Sequence, residues 1–270
     1  MSKISQAFAS GKAFIPFITC GDPDMETTIK VVKAAADAGA DLIELGIPFS
    51  DPVAEGPAIQ SANIRALKNR ITTDDVFDLV KKMRVEVSVP FVFMTYANVV
   101  FSYGPDAFFE RCREDGVEGV ILPDVPFEEK EEFESVALRH GVELLSLISP
   151  TSNQRIVKIA REARGFVYVV SSLGVTGTRE QISSDISEMV RLVRENTDIP
   201  CAVGFGISTP EQAWQMASLS DGAIVGSAII KLLEQHGRDA APYVGEYVKS
   251  MKEAVRRADT DPAPAPSSAS

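Results

Sequence analysis

The amino-acid sequence predicts an α/β fold, a single (β/α)8 TIM barrel with an N-terminal helix and an extra helix after the second strand. Two observations carry this prediction: the chain contains eight short apolar runs, and a segment of helical period fills every gap between them. Because the runs do not alternate polar with apolar residues, they indicate strands buried on both faces of a parallel sheet. The runs begin near Phe14, Asp41, Phe91, Glu118, Val142, Phe166, Cys201 and Gly222.

An open, doubly wound sheet is the alternative arrangement of alternating strands and helices. It would normally place a glycine-rich fingerprint directly after its first strand. Here the first run is followed by CGDPD, which holds a single glycine. The closed barrel is therefore the favoured fold.

Local signals place several helix ends. Asp22 and Pro23 predict the N-cap and first position of the helix after the first strand. Thr209, Pro210 and Gln212 predict a capping box at the start of the helix before the last strand. The long gap between the second and third runs holds two helical patterns, over 57–69 and 73–86, so the extra helix is expected there.

The domain is expected to cover residues 1–258 of the 270 in the chain. A single barrel of roughly 250 residues fits that length. Residues 259–270 are rich in proline, alanine and serine, which is typical of a disordered tail.

Composition excludes several functional classes. With 27 Lys and Arg against 38 Asp and Glu, the formal charge is -11, and no basic cluster favours a nucleic-acid partner. No apolar run is long enough to cross a membrane. The three cysteines are scattered and lack metal-ligand spacing, so we expect a cytoplasmic protein without disulfides or a metal site. His140 and His236 each precede a glycine at the end of a helical pattern and are interpreted as helix caps.

The carboxyl ends of the strands are where a barrel of this type carries its chemistry. On the second strand Leu42 and Glu44 share a side, so Glu44 faces the barrel interior if Leu42 does. Apolar neighbours would raise the pKa of a carboxyl group there and suit it to general acid–base catalysis. The alternatives are a buried ion pair or an outward-facing charge. Glu55 follows in a loop rich in proline and glycine, either as part of a surface turn or as a second carboxylate over the barrel mouth.

Glycine clusters after the sixth, seventh and eighth strands predict a phosphate site. They span residues 174–178, 204–208 and 226–228. Glycine lets backbone amides approach an anion closely, and a helix that starts near Ser227 would direct its amino end at the same point. A ligand held there by its phosphate could place a reacting carbon near Glu44.

Several strings of the sequence resemble the tryptophan synthase α-subunit family. In chain order they are FITCGDPD, LIELGIPFSDPVAEGPAIQ, MTYANVV, ILPDVPFEE, SSLGVTGTR and VGFGIST, and the resemblance spans roughly Lys3 to Arg257. It implies a lyase that cleaves indole-3-glycerol phosphate to indole and glyceraldehyde 3-phosphate by a retro-aldol step without a cofactor of its own. It also implies a β-subunit partner that carries pyridoxal phosphate, in an α2β2 complex.

The resemblance also implies roles for individual residues. Glu44 matches the family's catalytic glutamate, and Glu55 falls where better-studied members have aspartate, as the carboxylate that binds the indole NH. Tyr168 and Thr176 match residues beside the substrate and in a closing loop, and residues 48–57 and 172–185 match the lids. The phosphate cradle corresponds to Gly177, Gly206, Gly226 and Ser227, and the indole pocket to Phe17, Met94, Ile121 and Phe205.

Two other functions remain open from the sequence. One is a different barrel enzyme acting on a phosphorylated sugar, such as an isomerase or synthase. The other is a binding module that holds a phosphorylated ligand and activates a partner without chemistry of its own.

Overall fold

The computed structural model describes residues 2–170, 179–204 and 206–263, with the backbone alone for residues 179–184. Within these residues the chain forms a 9-stranded sheet. Its strands are β1 Ala13–Thr19, β2 Ile43–Gly46, β3 Phe91–Met94, β4 Gly119–Ile121, β5 Glu143–Leu144, β6 Ser146–Ile148, β7 Val167–Val170, β8 Cys201–Gly204 and β9 Gly222–Val225.

One segment carries both edges of the sheet and closes it into a barrel. The strand order is β5-β4-β3-β2-β1-β9-β8-β7-β6, and the pairings are parallel. Only Leu145 separates β5, which pairs with β4, from β6, which pairs with β7. Both edge strands therefore belong to the single run predicted from Val142. The predicted TIM barrel is thus confirmed, and the open sheet is excluded.

Helices surround the sheet and connect its strands. They are α1 Lys3–Gln6, α2 Met25–Asp37, α3 Pro57–Leu67, α4 Thr73–Met83, α5 Ala97–Tyr103, α6 Pro105–Asp115, α7 Glu131–Arg139, α8 Asn153–Arg161, α9 Arg179–Arg194, α10 Pro210–Leu219, α11 Ser227–His236 and α12 Ala240–Thr260. Short 3-10 turns cover Phe127–Glu129 and Gly237–Asp239. The predicted N-terminal helix is α1, and α3 and α4 confirm the extra helix after β2, whereas α5 was not predicted.

The capping box of α10 is present as predicted. The Thr209 hydroxyl accepts a hydrogen bond from the Gln212 backbone N at 3.3 Å, and the Gln212 side chain accepts one from the Thr209 backbone N at 3.2 Å. The two reciprocal bonds satisfy donors that a helix start leaves without intrahelical partners.

The predicted start of α2 is wrong by two residues. Its N-cap is Asp24, whose carboxylate accepts the Thr27 backbone N at 2.8 Å. The Asp22 carboxylate instead accepts two bonds from Arg65, at 2.7 and 2.8 Å, and is fully buried. Both oxygens of Asp22 are bound to Arg65, whereas Asp24 gives one oxygen to Arg238 and keeps the other for the helix cap.

The predicted boundary at residue 258 falls inside α12. This helix continues to Thr260, and Asp259 accepts a hydrogen bond from the Lys12 backbone N at 3.2 Å. The Ala263 backbone N donates to the Ser218 hydroxyl at 2.8 Å, so the packed chain extends beyond the predicted start of the tail at residue 259. Residues 264–270 lie outside the described residues.

The barrel interior is filled by its own apolar cluster, distinct from the layer between strands and helices. Ile4 of α1 belongs to this cluster and packs near Gly119 and Gly165, at the amino ends of the strands, so α1 closes that end of the barrel. Leu42 also belongs to it, which places the alternate residue Glu44 on the interior side, one step nearer the carboxyl ends.

No helix within the described part of the chain is both long and apolar enough to cross a membrane.

Candidate active site

A cavity of about 490 Å³ lies at the carboxyl ends of the strands. The loops after β2 and β6, the end of β1, and the start of α11 all contribute to its walls, as expected for a barrel active site. Its described lining residues are Phe17, Glu44, Ala54, Glu55, Gly56, Ile59, Met94, Pro123, Leu147, Ser149, Tyr168, Val170, Gly206, Ile207, Ser208, Ile224, Gly226, Ser227, Ala228 and Lys231.

Glu44 lines this cavity as a buried acid. Strand register sets it beside Phe17 of β1 and Val92 of β3. The residue is 1% exposed, and neither carboxyl oxygen has a hydrogen-bond partner among the described residues. Burial raises the pKa of Glu44 to about 8, because water no longer stabilises the charged form. At neutral pH the group is mostly protonated and can donate a proton, and neither the ion pair nor the outward orientation is present.

The Phe17 ring reaches the cavity because residue 46 has no side chain. A Cβ atom added at Gly46 would lie 2.5 Å from Cζ of Phe17. The glycine that ends β2 is therefore required for this aromatic wall beside Glu44.

Glu55 is held on the same side of the cavity by α3. Its carboxylate accepts a hydrogen bond from Asn63 Nδ2 at 2.6 Å, and its backbone carbonyl accepts one from Gln60 Nε2 at 2.8 Å. Burial raises the pKa of Glu55, while the nearby Tyr96 hydroxyl and the Asn63 amide partly offset this. The loop therefore presents a fixed carboxylate to the cavity instead of a freely moving one.

An ion pair fixes α3, which carries Asn63. Arg65 binds both oxygens of Asp22, which lies three residues after the end of β1. A bidentate guanidinium–carboxylate pair constrains orientation as well as distance. The helix that holds Glu55 is thus tied to the end of the first strand.

The opposite wall of the cavity consists of backbone amides. Gly226 is the N-cap of α11 without a side-chain capping bond, and Ser227 and Ala228 are its first helical residues. Amides at these positions lack intrahelical acceptors and favour an anion. Gly206 lines the same region with φ 76°, a left-handed conformation that glycine adopts easily.

The structure brings most of the predicted site residues together. Glu44 and Glu55 line one cavity with Phe17, Met94, Tyr168, Gly206, Gly226 and Ser227. Ile121 is fully buried in the interior cluster and does not line the cavity, although strand register sets it beside Met94, which does. Three predicted site residues lie outside the described residues, namely Thr176, Gly177 and Phe205, and so does the first half of the predicted lid, 172–178.

Sequence reasoning missed two polar residues of the site. Asn63 is 3% exposed on α3, and a buried amide on an otherwise apolar helix face was a signal that it has a specific partner. Lys231 lies four residues after Ser227 on α11, and helical period alone places such a pair on one face.

The described residues contain no group of His, Cys, Asp and Glu side chains that could hold a metal ion. The fold and the cavity together define a TIM-barrel enzyme with a buried carboxylic acid at the ends of its strands.

Comparison with known proteins assigns the chain to one family within this class of enzymes. A sequence model described as tryptophan synthase alpha chain matches residues 4–258. The tryptophan synthase alpha chain of Lacticaseibacillus casei is 48% identical over 255 residues, which cover 94% of this chain and 96% of that relative. The chain therefore belongs to the tryptophan synthase alpha chain family.

Solved structures agree with this assignment. Tryptophan synthase subunit alpha from Legionella pneumophila str. Paris superimposes with a TM-score of 0.85 at 36% identity, over 94% of this chain and 98% of that one. The tryptophan synthase complex from Pyrococcus furiosus gives a TM-score of 0.82 at 33% identity, over 90% and 98%. The family assignment thus rests on sequence and on fold.

Proposed function

We propose that this chain is the lyase of tryptophan biosynthesis that cleaves indole-3-glycerol phosphate to indole and glyceraldehyde 3-phosphate, with Glu44 as its acid–base residue. The family assignment supports the lyase activity. A single observation supports the role of Glu44: it is a fully buried carboxyl group without a hydrogen-bond partner among the described residues, and it faces a cavity at the ends of the strands.

The cleavage requires two proton transfers. Glu44 donates its proton to the indole ring carbon that bears the side chain, and this carbon becomes tetrahedral while positive charge develops on the ring nitrogen. The ionised Glu44 then accepts the proton of the adjacent side-chain hydroxyl as that carbon becomes an aldehyde. The electrons of the broken carbon–carbon bond restore the aromatic ring, so Glu44 ends the cycle protonated.

Glu55 stabilises the charged intermediate. Its carboxylate accepts a hydrogen bond from the indole NH as the ring nitrogen becomes positive, and a charge-assisted bond of this kind strengthens as the charge develops. Asn63 holds the carboxylate at 2.6 Å, which limits the reorganisation needed during the reaction.

The phosphate end of the substrate binds on the opposite wall. Backbone amides at Gly226 and Ser227, together with Gly206, form the described part of its cradle. Phe17, Met94 and Tyr168 contact the indole ring between this wall and Glu44. The chain needs no cofactor for the reaction, since proton transfer and charge stabilisation suffice.

A β subunit is the partner of this chain, in agreement with the tryptophan synthase complex from Pyrococcus furiosus. We propose an α2β2 assembly in the cytoplasm, in which pyridoxal phosphate belongs to the β subunit. Two exposed apolar side chains support docking on the side of the barrel that carries the cavity: Val53 in the loop after β2 is 76% exposed, and Phe101 on α5 is 73% exposed.

The direct test is Glu44→Gln, which preserves size and removes proton transfer. Indole release from indole-3-glycerol phosphate should fall by a factor on the order of 10² to 10⁴. Circular dichroism and activation of the β subunit should be retained, which separates loss of chemistry from loss of fold. Near-normal indole release by the folded variant would refute the role of Glu44. A wild-type chain that activates the β subunit but releases no indole would identify a binding module instead.

A further inference from the structure

Charged side chains in the cavity are segregated by sign. Among the described lining residues the charged ones are Glu44, Glu55 and Lys231. Both acids lie on β2 and the loop that follows it, whereas Lys231 lies on α11. The cavity therefore has an acidic wall and a wall that combines backbone amides with one ammonium group.

Lys231 follows the amide donors along the same helix. It lies four residues after Ser227, which is one turn of α11, so both residues lie on the same helix face and both line the cavity. Its side chain is exposed, so its ammonium group can move across the mouth at the amino end of the helix.

No acid of the described chain neutralises Lys231. It takes part in none of the ion pairs or side-chain hydrogen bonds of the described residues. The acid three residues later on α11, Glu234, is directed to Arg65 at 3.5 Å instead. Other exposed lysines, such as Lys249, also lack an acid partner, but among the described lysines Lys231 is the one that lines the cavity. The charge of Lys231 is thus available to a ligand.

We propose that Lys231 binds the phosphate group of the substrate and contributes most of the charge attraction for it, an inference that rests on the proposed function only for the identity of that substrate. A phosphate dianion must enter a molecule with a formal charge of -11 and a cavity that contains two carboxyl groups. Helix amides orient an anion but carry only partial charges, whereas an ammonium group supplies a full charge at short range. The backbone cradle sets the position of the phosphate, and Lys231 increases its occupancy.

The variant pair Lys231→Met and Lys231→Arg tests this proposal. Lys249→Met is the matched control, because Lys249 is an exposed lysine on α12 that does not line the cavity. Inorganic phosphate is the probe, titrated by calorimetry into the full chain at constant ionic strength. We expect Lys231→Met to weaken phosphate binding about ten-fold, Lys231→Arg to stay within about three-fold of wild type, and the control to be unchanged.

Steady-state kinetics with two substrates distinguish phosphate binding by Lys231 from a purely structural role. With indole-3-glycerol phosphate, Lys231→Met should raise KM about ten-fold and change kcat little, because the phosphate is bound equally in the ground and transition states. With the dephosphorylated analogue of this substrate, wild type and Lys231→Met should have nearly equal kcat/KM. An equal penalty on both substrates would overturn the proposal.

Different results would refute the lyase function and the phosphate role of Lys231. If wild type binds phosphate in a manner that depends on Lys231 but releases no indole, the lyase function is wrong and the phosphate role of Lys231 stands. If wild type releases indole while Lys231→Met keeps the wild-type phosphate affinity and KM, the lyase function stands and the role of Lys231 is wrong.

Discussion

Glu44 combines two properties that a purely structural residue would avoid. It is almost completely buried, and both of its carboxyl oxygens lack partners among the described residues. A buried polar group left unsatisfied costs about 1–3 kcal/mol of folding free energy. Its position at the cavity wall explains this, since a substrate supplies the missing partners and the elevated pKa keeps the proton available.

The stability of the protein should depend on pH through Glu44. Burial raises its pKa from 4.5 to about 8 in the folded state, so between these values the unfolded chain releases a proton that the folded chain retains. Rising pH therefore favours unfolding in this window, and the effect levels off above it. Wild type should lose stability relative to Glu44→Gln from pH 5 to pH 8, as measured by urea denaturation of both proteins. A constant difference between them would contradict the raised pKa.

At Glu55 both charge and length should matter. Glu55→Gln keeps the length and removes the negative charge, so indole release should fall roughly 100-fold. Glu55→Asp keeps the charge but shortens the reach and weakens the 2.6 Å contact with Asn63, so the fall should stay within about ten-fold. Steady-state assays of both variants check this order. Equal losses would show that position, and not charge, decides the role of this residue.

The elements of the site depend on each other through small residues and side-chain pairs. The end of β2 has a glycine so that Phe17 of β1 can pack over it, and α3 is attached to the end of β1 through Arg65 and Asp22. The loop with Glu55 is fixed only because that helix is fixed. Contacts among β1, β2 and α3 therefore hold the acidic wall of the cavity in place.

A methyl group at Gly46 should disrupt the packing of this acidic wall. In Gly46→Ala the new Cβ atom would lie 2.5 Å from Cζ of Phe17, so the ring must move into the cavity. We expect a destabilisation of about 1–3 kcal/mol and a clear rise in KM. Gly245→Ala is the control, because a Cβ atom on that residue of α12 would lie 3.6 Å from Ala34 Cβ, an ordinary contact. Thermal denaturation should show the control at or slightly above wild-type stability. Equal stability of the two variants would contradict the clash.

At the level of elements the sequence predicted more of the fold than of the local contacts. Apolar runs located the strands, and the string TPEQ predicted the capping box of α10, because both signals are local. The start of α2 was misplaced because the choice between Asp22 and Asp24 as cap depends on Arg65, more than forty positions away in sequence. Asn63 escaped notice although its partner Glu55 is only eight residues away, because the path of the loop between them cannot be read from the sequence.

On the scale of the whole molecule, exposed apolar side chains differ between the two ends of the barrel. Phe101 and Val53 lie on the side of the barrel that carries the carboxyl ends of the strands, as the cavity does. Val85, which is 84% exposed, follows α4 and lies at the amino ends. The proposed β-subunit partner would receive indole from the cavity, so the two ends of the barrel should respond differently to mutation.

Phe101→Asp should weaken the complex with the β subunit. An exposed aromatic residue near the centre of an interface commonly dominates its binding energy, so we expect the dissociation constant to rise about ten-fold or more. Val85→Asp introduces the same charge at the opposite end and should leave affinity unchanged. Titration calorimetry with the purified β subunit measures both. Equal effects of the two variants would place the partner elsewhere.

The two walls of the cavity come from distant parts of the chain. Glu44 lies on β2, early in the chain, whereas the amide wall belongs to α11, which follows the final strand. That strand pairs with β1, with Gly222 opposite Ala13. During synthesis on the ribosome, the reactive group is thus present long before anything can hold the opposite end of a substrate. A nascent chain that stops short of Ser227 carries the proton donor without an anchor, so catalytic competence is gained only after β9 has paired with β1 and α11 has left the ribosome.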